Sequence, residues 1–315
     1  MRQNKILHKG RIAQIPIYLG KCFRSLVYQD DWKVIPMAAI IAALVAFVAC
    51  NDMCGTMEGT MYGALALTFV CIWNGLFNSI QVICRERDIV KREHRAGMHI
   101  FAYISAHMIY QAFICAVQSA IMVEICVMAK VPFPQAGLMT PWFTVDLGIT
   151  FFLVSYASDM LGLLISSIAR TTTAAMTVMP FMLIIQLLFS GFMFNLQGTA
   201  LKLTNLTLSR WGINSICSLC DYNTRPMVAL WNQLYKLRGI EVMGVYPVRE
   251  ISDYVLKNDL LNDFLLESAK YNQNAAYEYT MAHVGKCWLI LLGFAVIFAI
   301  AAILCLKGID KDKRG

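Results

Sequence analysis

Six long apolar runs, separated by polar segments, dominate the pattern along the chain. The runs are Val34–Cys50, Thr60–Cys84, Ile100–Met128, Trp142–Ala169, Thr173–Phe194 and Gly285–Leu306. A helix of about 20 apolar residues crosses a hydrocarbon core roughly 30 Å thick. Because every backbone amide in lipid must be hydrogen-bonded within the protein, such runs fold as helices. The pattern predicts an all-α integral membrane protein with six transmembrane helices.

Composition supports a membrane protein. The chain has 315 residues, of which 58% are hydrophobic and only 15% are charged. Soluble domains of this size carry about 25% charged residues. A long polar segment precedes the first run, which is unlike a cleavable signal peptide.

The distribution of lysine and arginine predicts the orientation. Basic residues concentrate before the first run, between the second and third runs, and after the last run, whereas residues 51–59 contain none. Basic loops stay in the cytoplasm. The predicted divisions are a cytoplasmic segment (1–33), transmembrane helices one to five (34–197), an external loop domain (198–284), the sixth transmembrane helix (285–306) and a cytoplasmic tail (307–315). Because this distribution accounts for the net charge of +7, that charge requires no nucleic-acid partner.

Two segments on the cytoplasmic side have their own patterns. Apolar residues recur at helical spacing from Ile12 to Leu26, which predicts an amphipathic helix lying in the membrane interface, with an ordinary linker as the alternative. Between the second and third runs, "RERDIVKREHRAG" (Arg85–Gly97) interleaves acids and bases. Its spacing allows helical ion pairs. Periodicity alone leaves open whether this charged helix is a solvated turn or a surface that a cytoplasmic partner contacts.

Polar residues inside the runs are candidates for function. Asn74, Asn78 and Gln81 form one helical stripe, which either hydrogen-bonds to neighbouring helices or lines a cavity. Asp159 is expected to hydrogen-bond to Ser155 or His107, and a proton relay is the alternative. With Glu124, Asp159 supports a second hypothesis, a secondary transporter or channel that runs on an ion gradient.

The eleven cysteines include one CxxC pair, Cys217 and Cys220. These two residues could form a disulfide with each other or with a partner chain, Cys50 with Cys54 is another candidate pair, and plain thiols are a further alternative. No second ligand pair follows, so we expect no metal site. The chain has no Walker-type glycine loop and no hydrolase or kinase motif. We therefore expect no enzymatic activity in this chain, and any energy source would lie on another one.

Three segments resemble the transmembrane domain of G-type (ABCG-like) ABC exporters, a branch of the type-2 ABC permeases. They are "ERDIVKREHRAGMHIFAYISA", "LGLLISSIARTTTAAMTVMPFMLIIQLLFSGFMFN" and "SRWGINSICSLCDYN". The resemblance extends over nearly the whole chain, in the same order and with matching loop lengths. It departs from the family at Asn74, where some drug exporters have a cavity-lining aromatic residue.

The resemblance implies a half-transporter in a bacterial plasma membrane that forms a homodimer or heterodimer, contacts membrane lipid and couples to ATP-binding domains. ATP and magnesium would bind to those partner domains, and this chain would hold no cofactor. The Ile12–Leu26 helix would be the family's connecting helix, and residues 85–97 its coupling helix. The residues expected to couple to the ATPase are Glu86, Arg87, Asp88, Arg92, Glu93 and Gly97.

The resemblance also implies a path for the substrate, which would be amphipathic or lipophilic and move outward by alternating access. It places the second span at the dimer axis, with Asn74, Phe77, Asn78, Thr177 and Met182 in the cavity. An outer gate would consist of Phe192 and Met193, with Gly191 allowing the two copies to approach. Ordinary core packing is the alternative for these gate residues.

Overall fold

The computed structural model describes residues 10–28, 31–192, 198–241 and 243–308, and all regular secondary structure in these ranges is helical. The first seven helices are α1 (Ile15–Tyr28), α2 (Val34–Ala49), α3 (Met57–Ser79), α4 (Val82–Arg95), α5 (Ile100–Met128), α6 (Phe143–Ile168) and α7 (Thr172–Leu188). The remaining α-helices are α8 (Thr199–Thr204), α9 (Leu208–Leu219), α10 (Val228–Lys236), α11 (Pro247–Lys257), α12 (Leu261–Lys270) and α13 (Met281–Leu306), and short 3-10 helices also occur in the described ranges.

Within the described ranges, four helical stretches are long and apolar enough to cross a membrane. They are Met57–Arg95, which comprises α3 and α4, and the helices α5, α6 and α13. The prediction of an all-helical membrane protein is therefore confirmed. The apolar helices α2 and α7 are shorter, with 16 and 17 residues. One predicted boundary is wrong, because the run Thr60–Cys84 breaks at Ile80–Gln81 and its last residues belong to α4.

The contact between α3 and α6 depends on small side chains. A Cβ atom added at Gly75 would overlap the backbone oxygen of Ser155, and one at Gly162 would meet the hydroxyl of Ser79. The Ser158 hydroxyl donates a hydrogen bond across this interface to the backbone oxygen of Ile72, at 2.7 Å. Small residues allow helix backbones to approach closely where lipid gives no hydrophobic driving force. The two helices consequently form the centre of the fold.

Helix α9 is buried along most of its length among α3, α6 and α13. The Trp288 indole of α13 donates to Thr150 Oγ1 of α6 at 3.0 Å and to Ser215 Oγ of α9 at 3.1 Å. Helices α10 to α12 follow as a small unit in which Trp231 and Phe264 pack with ring centroids 5.4 Å apart. The first half of the predicted loop domain thus packs against the long helices.

A disulfide joins Cys54, in the α2–α3 loop, to Cys220 at the end of α9. Both predicted pairings, Cys217 with Cys220 and Cys50 with Cys54, are wrong in this structure, because Cys217 and Cys50 are buried free thiols. The folding of α9 against α3 brings together two cysteines 166 residues apart in sequence. Nearby, the Glu58 carboxylate accepts hydrogen bonds from the amides of Val228 and Ala229, at 3.1 and 2.7 Å, and so caps α10.

Candidate functional site

Helix α4 starts as a new helix at the break after α3. The Ser166 hydroxyl, near the end of α6, accepts hydrogen bonds from the amides of Ile83 and Cys84 at 3.0 and 3.2 Å. These amides belong to the first turn of α4, where backbone donors have no partner within the helix. Ser166 therefore acts on α4 as a capping residue, although it lies on a different helix.

Arg87 fixes α4 to α6 a second time. Its Nη1 atom donates to the backbone oxygens of Ser167 and Ala169, at 3.1 and 2.9 Å. These oxygens lie at the end of α6, where carbonyls are unpaired and the helix dipole favours a cation. The two contacts hold the start of α4 against the end of α6.

Helix α1 holds α4 on another side through Lys21. The Lys21 Nζ atom lies 3.0 Å from Glu86 Oε2 and 3.6 Å from Glu93 Oε1. All three side chains are partly shielded from solvent, so this network should be worth more than an exposed pair, which contributes about 0–1 kcal/mol. Burial and then the Glu93 carboxylate raise the pKa of Tyr18 to about 12, so its phenol stays protonated near neutral pH.

Gln14 joins the turn between α4 and α5. Its side-chain amide donates to the backbone oxygen of Gly97 at 3.2 Å and accepts from the amide of His99 at 2.9 Å. Gly97 has a φ of +106°, a conformation that L side chains rarely adopt. The segment before α1 is thereby hydrogen-bonded to the turn that ends α4.

The six predicted coupling residues therefore divide into two groups. The first group contacts other parts of the chain. Glu86 and Glu93 contact α1, Arg87 contacts α6, and the backbone of Gly97 contacts Gln14. The second group, Asp88 and Arg92, is exposed on the outer face of α4. The apolar Ile89 lies between them and is 46% exposed. The sequence-based prediction missed three residues of this site, Gln14, Lys21 and Ile89. An apolar residue inside a charged helix was the available signal for Ile89.

A polar cleft lies beside α4, between α1, the start of α2, the α3–α4 break and α5. It is lined by Phe77, Asn78, Gln81, Tyr110 and Gln111, among other residues. The side-chain amides of Asn78 and Gln118 hydrogen-bond to each other reciprocally, at 2.8 and 3.1 Å. Asn78 therefore hydrogen-bonds to a neighbouring helix and also lines the cleft, together with Phe77 and Gln81, so its role in a substrate cavity stays a prediction.

Asp159 is fully buried in α6, and its surroundings differ from those expected. The Cys115 thiol donates to Asp159 Oδ2 at 3.4 Å, whereas Oδ1 has no hydrogen-bond partner within the described part of the chain. His107, one of the two expected partners, instead contacts Cys22 of α1 at 3.7 Å. Glu124 is exposed on α5, so the two acids do not form one buried network.

The other predicted cavity residues lie apart from this cleft. Asn74 is buried in α3, at 6% exposure. Thr177 lies on α7, with its hydroxyl bonded to the backbone oxygen of Thr173 at 2.9 Å, and Met182 is half-buried against the core. A shared cavity for these residues stays a prediction.

The predicted gate residues follow α7. Gly191 has a φ of +78°, and Phe192 packs edge-on against Tyr62 of α3, with ring centroids 5.6 Å apart. Met193 lies outside the described residues. The contact with Tyr62 places Phe192 at the same end of α3 as Cys54 and Glu58, which is the end opposite α4.

Fold and site together define an all-helical, multi-pass membrane protein whose α4 is held between two other helices. Residues 21–218 match the family model described as ABC-2 type transporter. The chain belongs to this family, and its architecture fits a type-2 ABC permease.

Among curated proteins, the chain is similar to the ABC transporter ATP-binding/permease protein Rv1747 of Mycobacterium tuberculosis. The two are 28% identical over 152 residues, which cover 48% of this chain. The same region covers 18% of the mycobacterial protein, so the chain corresponds to a small part of that relative's length.

Proposed function

We propose that this protein is the permease component of an ATP-driven ABC exporter. The observation that carries the proposal is the construction of α4, which is fixed to α6 by Ser166 and Arg87 and to α1 by Lys21. A force applied to such a helix is passed to two other helices at once. Family membership supports this proposal over the gradient-driven alternative, and so does the separation of Asp159 from Glu124.

The outer face of α4 is the proposed docking surface for an ATP-binding component. Asp88 and Arg92 offer opposite charges, and Ile89 supplies an apolar centre. A central apolar contact surrounded by polar groups is typical of interfaces that bind firmly. The name of the mycobacterial relative includes an ATP-binding function, which supports such a partner. ATP and magnesium would bind there, and this chain would supply no catalytic group.

A second permease copy completes the proposed transporter. Within the described residues helix α7 makes few contacts with the rest of the chain, and Phe181, Ile184 and Ile185 are 61%, 51% and 43% exposed. We propose that α7 and the free face of α3 meet the same helices of the other copy and that lipid covers the remaining apolar faces. In this arrangement α2 and α7 would also span the membrane, giving six spans with both termini in the cytoplasm.

Transport would follow from a shift between two populations of the paired helices. ATP would bind one conformation more tightly, and only such a difference in affinity can drive a conformational change. The substrate, amphipathic or lipophilic, would leave between the copies near Phe192. The resemblance to G-type exporters supports the outward direction and a bacterial plasma membrane.

Reversing the charges of the Asp88 and Arg92 pair on α4 tests the docking surface. The double variant D88K/R92E is expected to lower co-purification of the ATP-binding component, and ATPase stimulation by the permease, by about tenfold or more, because charges facing a partner fix register and affinity. The matched control is R249E/D253K, which reverses another i,i+4 pair, on α11. Equal loss in both variants, or undiminished stimulation in D88K/R92E, would contradict the proposal.

Lys21 offers a second test, of transmission rather than docking. Lys21→Glu places a third carboxylate beside Glu86 and Glu93 and is expected to reduce ATP-driven transport severalfold while the ATP-binding component still co-purifies. The swap K21E/E86K should recover part of the loss, because it restores one opposite-charge contact. Transport and pull-down are measured on the same membrane preparations, and a swap no better than the single variant would argue against a direct ion pair.

A further inference from the structure

A second cleft opens where the segment before α1, the α4–α5 turn and the end of α13 meet. Four of its lining residues are basic or imidazole side chains, Arg11, His94, His99 and Lys307. Phe101 and Ile303 belong to its apolar wall, and Phe101 is 51% exposed. Its volume of about 600 Å³ lies within the range of roughly 300–1,000 Å³ typical of small-molecule sites.

The chemistry of this cleft favours an anion with an apolar part. Arg11 and Lys307 supply a guanidinium and an ammonium group, and none of the described residues that line the cleft is acidic. This distinguishes it from the pocket around Tyr103, whose lining includes the acidic Glu86 beside Lys21 and Arg85. A free phosphate would use the basic side but would leave the wall formed by Phe101 and Ile303 exposed.

We infer that this cleft binds an anionic phospholipid of the cytoplasmic leaflet, with its headgroup phosphate between Arg11 and Lys307 and an acyl chain along Phe101 and Ile303. The inference rests on the orientation given under the proposed function, which places the end of α13 at the cytoplasmic surface. Basic pockets between transmembrane helices at that surface recognise anionic lipid headgroups.

The lipid would contact the same turn that Gln14 joins. The His94 ring contacts the backbone oxygen of Met98 at 2.9 Å, and Gln14 bonds to Gly97 and His99 within this turn. A lipid that bridges Arg11 and Lys307 would hold this turn against the end of α13. We therefore expect anionic lipid to strengthen coupling between α4 and the long helices.

Lipid retention by the purified protein tests the site. Native mass spectrometry in mixtures of phosphatidylglycerol and phosphatidylcholine should show selective retention of phosphatidylglycerol. The double variant R11Q/K307Q should weaken this retention on the order of tenfold, because two cations near the headgroup are lost. The charge-conserving variant R11K/K307R should retain the lipid, and soluble glycerol phosphate should not displace it.

The matched control R24Q/K286Q removes the same charge from residues of α1 and α13 outside the cleft. Equal retention by R11Q/K307Q and the parent protein would overturn the inference, as would equal loss in R24Q/K286Q or displacement by glycerol phosphate. Circular dichroism and size exclusion are measured on R11Q/K307Q to check that it is folded. Loss of lipid by R11K/K307R would also overturn the inference. Because D88K/R92E tests ATPase docking at a different surface, failure of the lipid site leaves that result unaffected.

Discussion

Gly75→Ala is expected to destabilise the folded protein by about 3 kcal/mol or more, a large effect for the addition of one methyl group. The added carbon would overlap the backbone oxygen of Ser155 and lie against Ser158. Backbone cannot move aside as a side chain can, so α3 and α6 would have to separate. Loss of their contact would show as a lower temperature of thermal unfolding in detergent and a reduced folded yield.

The control for this prediction is Gly293→Ala on α13. A Cβ atom there meets nothing within 4 Å, and alanine is favoured over glycine in a helix by about 1 kcal/mol. The control should be neutral or slightly stabilising. If Gly75→Ala behaved in the same way, the close approach of α3 and α6 would be refuted.

Removing the Cys54–Cys220 bond is the second change with a large expected effect. The double variant C54S/C220S should lose about 2–4 kcal/mol of stability, because the bond closes a long loop and restricts the unfolded chain. The α10–α12 unit should become more sensitive to limited proteolysis. Reducing agent should reproduce both effects in the parent protein and have no effect on the variant.

Cys217→Ser separates this pairing from the one that the CxxC spacing suggests. Cys217 is a buried free thiol, so its replacement should leave the bond intact and cost less than loss of the bond. Peptide mapping without reduction should recover a peptide that joins Cys54 to Cys220. A peptide that joins Cys217 to Cys220 would show that the pairing is local.

Hydrophobic patterning predicted the long helices because a helix that crosses lipid must be apolar along most of its length. The runs Ile100–Met128 and Trp142–Ala169 match α5 and α6 to within a residue. The pattern could not locate the break at Ile80–Gln81, since this break depends on a capping hydroxyl from Ser166, more than 80 residues away. Apolar residues resume directly after the break with Val82 and Ile83, so the run reads as one segment.

The same limit applies to the site. Spacing within residues 85–97 identified a charged helix but not which side faces α1, because that depends on where Lys21 and Gln14 fold. The disulfide illustrates the limit most directly. Cys217 and Cys220 are neighbours in sequence, yet the folding of α9 beside α3 determines which thiol meets Cys54.

Helix α3 is tied at both of its ends, and this has a mechanical consequence. Its 23 residues measure about 35 Å, with α4 following one end and Cys54, Glu58 and the capped α10 at the other. A helix anchored at both ends would transmit tilting at α4, the proposed docking side, to the α10–α12 unit. In the proposed orientation, an antibody fragment that immobilised the α10–α12 unit from outside the cell would slow nucleotide turnover by the ATP-binding component without approaching the nucleotide.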